Sequence, residues 1–426
     1  MAAPLQHPTP SFPPRATESH RLRGSTRHNI NYPGPSRIAR VQESGSRPLL
    51  AVTTLHASAF QASLIIAFTW LPYVFFALPA GVIIDRVRKR RLMIWCDILR
   101  TALVASIPAS TLLWQPSLGY LYVVVAACGV LTVFFNVGHR ALLPALVDEN
   151  QLISANGKMG MSQSLAELAG PAVGGLLTGA MGALRTMWVD ASSFLLSAAT
   201  LMMIKAPDPR TEPDAPAERQ SFRSQVSEGL RYVLKHPILS RLLLCSSTSN
   251  FFVLGMAGIE IVYLVNELHA SPLVVGLVFS FGTVGGLITG LLASRISERV
   301  GTARVIWLSM VVPGPLYLLI PLAFPGWGIV LYAIGLTAFS ANAVLYNAAE
   351  SSYRQRVCPP EMRGRMSASV LWIAYGVIPL GALFGGALAS WIGMRPALVV
   401  FALGMWAASL FVVFSPLRGL RDIPTT

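Results

Sequence analysis

A few charged side chains stand inside long apolar stretches of this chain, where an ionised group is costly. Glu167 interrupts "LAELAGP" and Glu260 interrupts "GIEIVYL". Asp97 and Arg100 are three residues apart in "CDILR", a spacing that lets them pair on one helix face. In hydrocarbon, an isolated charge costs about 2.5–3.5 kcal/mol at a helix centre, so such groups find a partner or serve a function.

We interpret Glu167 first and Glu260 second as acids that exchange a proton or recognise a cation. The alternative for each is a hydrogen bond between helices that only satisfies the carboxyl group. Asp97 and Arg100 are further candidates for the proton or substrate path, with a structural pair as the favoured interpretation.

The composition identifies the class of protein that holds these acids. Of 426 residues, 53% are hydrophobic and only 12% are charged, whereas a soluble domain is about one-quarter charged. So little charge cannot cover a water-facing surface, which favours a membrane protein. The formal net charge of +14 would suggest nucleic-acid binding in a soluble chain, so the position of the bases decides its meaning.

The apolar stretches are long enough to cross a bilayer, which takes about 20 helical residues. We predict eleven spans, near 59–84, 92–114, 119–143, 158–180, 185–204, 242–265, 272–294, 303–324, 327–349, 367–391 and 396–415. Lys and Arg concentrate in every second loop, which places these loops and the C-terminus in the cytoplasm of a multi-pass plasma-membrane protein. This alternation also argues against a nucleic-acid partner.

The spans divide into two similar sets. We predict an N-terminal tail, a first bundle, a cytoplasmic linker with an amphipathic segment, a second bundle and a cytoplasmic tail, over residues 1–48, 49–204, 205–240, 241–415 and 416–426. "GPAVGGLLTGAMG" from Gly170 is echoed by "GALFGGALASWIG" from Gly381, which indicates an internal repeat. The predicted fold class is therefore an all-α polytopic membrane protein with two pseudo-repeated helix bundles.

Several stretches together resemble a known family. "GVIIDRVRKRR", from Gly81 to Arg91, is similar to the signature loop of the major facilitator superfamily, with Arg88 where a glycine is usual. With "SANGKMGMSQSLAELAGPAVGG" and "YRQRVCPPEMRGRMSASV", residues 48–415 resemble the enterobactin-exporter and macrolide-efflux branch. The resemblance implies export of a small amphipathic drug-like or siderophore-like compound, by proton antiport and alternating access.

The resemblance also implies a conformational latch in the basic loop. Asp85 would dock against a helix N-terminus of the other bundle, where the helix dipole favours a carboxylate. Arg86, Arg90 and Arg140 would belong to the same network. The alternative is that Asp85 is only a partner for Arg86 or Arg90 within the loop, which contributes little when exposed.

A second motif resembles the pattern that exporters of this superfamily carry in the fifth helix. Its members here are Gly157, Gly170, Pro171, Gly174 and Gly175. Pro171 removes a backbone donor and bends the helix, and the glycines allow a neighbouring helix to approach closely. The alternative is generic small-residue packing.

Two ridges of small residues are expected to line the seam between the bundles. They consist of Gly282, Gly286 and Gly290, and of Gly381, Gly385 and Ala389.

One departure from the family concerns the first helix. "PLLAVTTLHASAFQ", residues 48–61, resembles the end of helix 1 and the turn into helix 2, but a Pro/Arg-rich tail precedes it. We therefore expect residues 1–47 not to be the native N-terminus, and an alternative function as a non-transporting scaffold or sensor, or as an inactive truncated transporter, stays open. An importer is a further alternative, which the fifth-helix motif disfavours.

No phosphate-binding loop, HExxH or GxSxG motif occurs in the sequence. We expect no enzyme activity, no cofactor and no metal, with an ion gradient as the energy source. The expected partners are the lipid bilayer, a small-molecule substrate and protons, and we expect a monomer.

Overall fold

The computed structural model describes residues 47–112, 116–146, 149–203, 222–359 and 362–422. The predictions on the N-terminal tail before residue 47 and on linker residues 204–221 lie outside the described residues. Within the described ranges the chain forms helices and their connections and no β-strand, which confirms the all-α fold.

The helices follow one another with short connections. They are α1 (47–53), α2 (Ala59–Arg86), α3 (Lys89–Ser110), α4 (Leu118–Leu146), α5 (Glu149–Met181), α6 (Ala183–Met203), α7 (Phe222–Lys235), α8 (Pro237–Val262), α9 (Pro272–Val300), α10 (Thr302–Val311), α11 (Ile329–Val357), α12 (Arg363–Ile392), α13 (Met394–Ala407) and α14 (Ser409–Val413). A π-helix, Tyr263–Glu267, continues α8, and 3₁₀-helices occupy Gly314–Leu319, Gly326–Gly328 and Pro416–Gly419.

Nine helical segments in the described ranges are long and apolar enough to cross a membrane. The predicted spans that fall on α5 and α6 are also helical, over 33 and 21 residues. Each of the eleven predicted spans thus falls on a helix.

Apolar packing joins the helices into two groups. α2 packs on α4, α3 packs on α4 and α6, and α5 packs on α6. In the second group α8 packs on α12 and α13, while α11 packs on α9 and α10. The main contacts between the groups are α5 with α9, and α2 with α8 and α12. We call α2–α6 the first half and α8–α14 the second half.

The internal repeat is visible in how two helices end. Gly182 follows α5 with a φ of 85°, and Gly393 follows α12 with a φ of 89°. This left-handed conformation favours glycine, which has no Cβ to clash. The backbone N–H of Gly182 donates to Thr178 and that of Gly393 to Ala389. The two repeat copies therefore share a helix cap as well as a sequence pattern.

The amphipathic linker segment forms α7. Val233 is buried in the second half's core, and Tyr232 Oη donates to the carbonyl of Val357 at 3.2 Å. Leu234 and Lys235 are exposed. The linker is thus attached to the second half where α11 ends.

One end of the bundle carries exposed bases. Helices α2, α9 and α11 end there, and α3 begins there. The exposed bases at these helix ends are Arg88, Arg299 and Arg356, so we call this the basic end of the bundle.

Candidate functional site

A cavity of about 680 Å³ lies where the two halves meet. Helices α2 and α5 of the first half and α8, α9 and α11 of the second half line it, and Leu49 of α1 contributes to its wall. Small-molecule sites in proteins occupy about 300–1,000 Å³. The cavity therefore has the size of a site for one drug-sized molecule.

The lining is apolar except for a few groups. Among the described lining residues, the charged side chains are Glu167 and Glu260, and no Lys, Arg or His is present. An apolar wall with a few placed polar groups is typical of a small-molecule site. Two carboxylates without a base in the lining favour a cation over an anion.

Glu260 is held in place by a tyrosine of another helix. Its carboxylate, in the last turn of α8, accepts a hydrogen bond from Tyr332 Oη of α11 at 3.0 Å. Tyr332 is fully buried, and its ring stacks on Tyr263 with centroids 6.3 Å apart. The π-helix begins three residues after Glu260, and such helices frequently occur at functional sites. The interhelical hydrogen bond considered for Glu260 is therefore present, at the cavity wall.

Glu167 is more loosely held. It is exposed, and its carboxylate accepts a hydrogen bond at 2.8 Å from Gln163 Nε2, one turn earlier on α5. Pro171, four residues later, has no N–H to donate to the Glu167 carbonyl. Within the described residues, this carboxylate receives no hydrogen bond from a second helix.

The glycine motif of α5 forms a close crossing between the halves. A Cβ on Gly175 would lie 2.4 Å from the carbonyl oxygen of Pro272, and a Cβ on Gly276 would lie 2.3 Å from that of Pro171. The backbone N–H of Ala172 donates to Ser280 Oγ of α9 at 2.9 Å. Only glycine at these two positions lets α5 and α9 approach so closely.

The second crossing uses the repeat equivalent of Gly175. Gly386 of α12 stands 211 residues later, the offset that also relates Gly170 to Gly381. A Cβ on Gly386 would lie 2.7 Å from Ser63 Cβ of α2. The first crossing joins the later part of α5 to the start of α9, and the second joins the later part of α12 to the start of α2. The halves are therefore in closest contact at the end opposite the basic end.

The expectation for the two small-residue ridges is wrong. Added Cβ atoms on Gly282 and Gly286 would meet side chains of α11, and those on Gly381 and Gly385 would meet the backbone of α8. Both ridges thus pack inside the second half. A small residue permits a close neighbour, but the sequence does not say which helix that neighbour is.

Asp97 and Arg100 lie away from the cavity. Both are buried and form an ion pair at 2.8 Å, and Ser197 Oγ donates to Asp97 at 2.6 Å. The guanidinium carbon of Arg100 lies 4.5 Å from the ring centroid of Phe135 and 5.0 Å from that of Phe194. The pair ties α3, α4 and α6 together, which fits the structural interpretation; its part in a proton or substrate path stays a prediction.

The latch residues are only partly described. Arg90 donates from Nε and Nη2 to the carbonyls of Leu201 and Met202, at 2.8 and 2.6 Å, and so caps the end of α6. The side chains of Asp85, Arg86 and Arg140 lie outside the described residues, as does the surrounding of Gly157. The latch therefore stays a prediction.

Other residues of the site carry no recognisable signal in the sequence. Tyr332, Trp70 and Ser280 stand in ordinary apolar stretches. Trp70 lines the cavity and stacks on Tyr375 of α12, with centroids 5.6 Å apart. A buried acid implies some partner, but nothing in the spacing identifies Tyr332, which is 72 residues from Glu260.

Comparison with known proteins agrees with this architecture. The family model of the Major Facilitator Superfamily matches residues 40–368 and 243–423. A bacterial homologue of the human lysosomal transporter Spinster, solved in an inward-facing and unoccupied conformation, superposes with a TM-score of 0.71 at 14% identity, covering 89% of this chain and 95% of that one. The chain belongs to the major facilitator superfamily and is a multi-span membrane transporter for small molecules.

Curated relatives lie in the predicted branch. The multidrug efflux pump Tap of Mycolicibacterium fortuitum is 24% identical over 85% of this chain and 88% of its own length. Macrolide efflux protein A of Streptococcus pyogenes is 21% identical over 81% of this chain and 84% of its own length. The predicted resemblance to efflux proteins is confirmed.

Proposed function

We propose that this transporter exports amphipathic, drug-like organic cations in exchange for protons. The observation that carries the proposal is the apolar cavity between the halves, with Glu167 and Glu260 and no base among its described lining residues. The similarity to proteins named for multidrug and macrolide efflux supports the direction of transport. An anionic siderophore-like compound would find no opposite charge in this lining.

The two carboxylates supply the means of exchange. The uncompensated charge of a carboxylate in an apolar cavity is removed by protonation or offset by a cation bound nearby. Binding of one therefore promotes release of the other. This competition converts an inward proton gradient into outward movement of the cation, provided that the cavity opens to the two sides of the membrane in turn.

The arrangement of the halves supports such alternating access. The crossings through Gly175 and Gly386 close the end opposite the basic end. With the basic loops in the cytoplasm, as the distribution of Lys and Arg favours, the closed end faces outward. Rocking of the halves about the cavity would open it, and Asp85, Arg86, Arg90 and Arg140 would then act as the latch at the basic end.

The experiment is transport by purified protein in proteoliposomes. Ethidium serves as the cation, with an imposed pH gradient. We expect gradient-driven ethidium movement by the wild type and its loss in the double variant Glu167→Gln/Glu260→Gln. Glu298→Gln is the control, because Glu298 is exposed on α9 outside the cavity. Equal transport by the double variant and the control would overturn the proposal, and absence of transport by the wild type for any cation would favour a scaffold or sensor.

A further inference from the structure

The two acids of the cavity differ in how they are held, and this difference deepens the proposed exchange, on which the inference rests. We infer that Glu260, with Tyr332 as its positioning residue, carries the proton, while Glu167 contacts the cation. The proton-carrying site and the specificity-determining site are thus two separate carboxylates, one in each half.

Glu260 has the surroundings of a fixed site. The carboxylate is half-buried, and its donor comes from a fully buried tyrosine on another helix at 3.0 Å. Tyr332 is packed against Tyr263, whose own hydroxyl donates to the carbonyl of Ala323 at 3.0 Å. A carboxylate held at one point offers a proton a site whose position does not depend on the ligand in the cavity. It cannot move to meet cations of different shapes.

Glu167 has the opposite character. It is exposed toward the cavity, and the described hydrogen bond comes from Gln163 of its own helix. Among the described residues, neither side chain receives a hydrogen bond from a second helix, so the pair can change rotamer to follow a substrate. Four residues later stands Pro171, at the crossing to α9. A cation at Glu167 is therefore placed where the two halves meet.

Tyr332 gives the proposed proton site its pH dependence. The titratable group that contacts Glu260 is Tyr332 from α11, which in turn stacks on Tyr263 of the π-helix, and Glu167 lies in the lining of the same cavity. The described lining residues of α2 and α9 carry no charge. A hydroxyl donor favours the ionised carboxylate. Its removal therefore changes the pH dependence of proton uptake by Glu260.

The test measures binding of tetraphenylphosphonium to purified protein across pH, together with proton release on binding. We expect Glu260→Gln to bind the cation without releasing a proton and without pH dependence. We expect Glu167→Gln to bind at least about tenfold more weakly, since a charge-assisted contact is lost, with the pH dependence kept. Tyr332→Phe should shift the midpoint of the pH profile relative to the wild type.

Tyr346→Phe is the matched control for Tyr332→Phe. Tyr346 is a buried tyrosine of the same helix whose hydroxyl bonds to Ser246 Oγ at 3.1 Å and lies outside the cavity. An unshifted profile in this control supports a specific effect of Tyr332. Equal phenotypes of Glu167→Gln and Glu260→Gln, or equal profiles of the two tyrosine variants, would overturn the inference. Where Tyr332→Phe does not fold, the comparison of the two glutamate variants still decides.

The proposed function fails separately from this inference. Absence of cation binding and transport by the wild type contradicts cation exchange as a whole. Transport by the wild type with identical defects in the two glutamate variants contradicts only the division of roles.

Discussion

Replacing Gly276 by alanine tests the close crossing between the halves. The new Cβ would lie 2.3 Å from the Pro171 carbonyl oxygen and 3.0 Å from Gly175 Cα, so α5 and α9 must separate. Overpacking of this kind costs about 1–3 kcal/mol. Alanine also favours the helix by about 0.4–1 kcal/mol relative to glycine. This second effect cancels in a comparison with the same substitution at a glycine where a Cβ meets no close neighbour.

Gly179 provides that comparison. It lies one turn after Gly175 on α5, and a Cβ there has its nearest neighbour, the backbone nitrogen of Leu273, at 3.9 Å. Gly179→Ala should therefore gain the helix effect without the clash. The difference between Gly276→Ala and Gly179→Ala isolates the cost of the crossing, about 1–3 kcal/mol. That cost applies only to the state in which α5 and α9 touch.

The population of this state is the quantity to measure. A cost of about 1–3 kcal/mol lowers it about five- to 150-fold relative to a state with the helices apart. Spin labels at the outer ends of α5 and α9, measured by pulsed electron paramagnetic resonance, should show longer distances in Gly276→Ala. The Gly179→Ala distances should match the wild type. Identical distance distributions in the two variants would refute the close crossing.

Three further predictions concern other contacts. Asp97→Asn removes the ion-pair partner of the buried Arg100 and should lower the free energy of unfolding by about 3–5 kcal/mol, seen as a lower thermal midpoint. The apolar double variant Asp97→Leu/Arg100→Met should lower the midpoint less, and a lower midpoint in the double variant than in Asp97→Asn would contradict the role of the pair. Ser280→Ala removes the acceptor of the Ala172 N–H. Loss of this hydrogen bond should destabilise the state in which α5 and α9 touch by about 1 kcal/mol and lengthen the same spin-label distances. Unchanged distances would contradict a role of this hydrogen bond in holding α5 to α9. His236 Nδ1 caps α8 by accepting from two backbone N–H groups, and burial lowers the pKa of His236 below the ordinary 6.5. Because the unfolded chain therefore takes up a proton first as the pH falls, stability should fall as pH drops below about 6.5. His236→Asn provides a cap that does not titrate and should flatten this dependence in thermal unfolding between pH 5 and 8.

Much of the fold could be predicted because its determinants are local in the sequence. Apolar stretches of membrane length locate the helices, and the repeated glycine pattern relates α5 to α12. The same approach located Glu167 and Glu260, because a carboxyl group inside an apolar stretch is conspicuous without any knowledge of its neighbours.

The partners could not be predicted in the same way. Tyr332 lies on a different helix from Glu260, and a tyrosine in an apolar stretch has many possible neighbours. The sequence predicts the ridge that contains Gly282 at the seam, but this ridge packs on α11. In both cases the missing information is the rotation of each helix about its axis. That rotation is set by packing over the whole bundle.

The most direct test of cation–proton exchange is the dependence of ethidium flux on the direction of the pH gradient in wild-type proteoliposomes. With exchange, ethidium moves against the direction of proton flow, reversal of the gradient reverses the ethidium flux, and a protonophore abolishes it. A flux that keeps its direction and size under all three conditions would contradict exchange for protons.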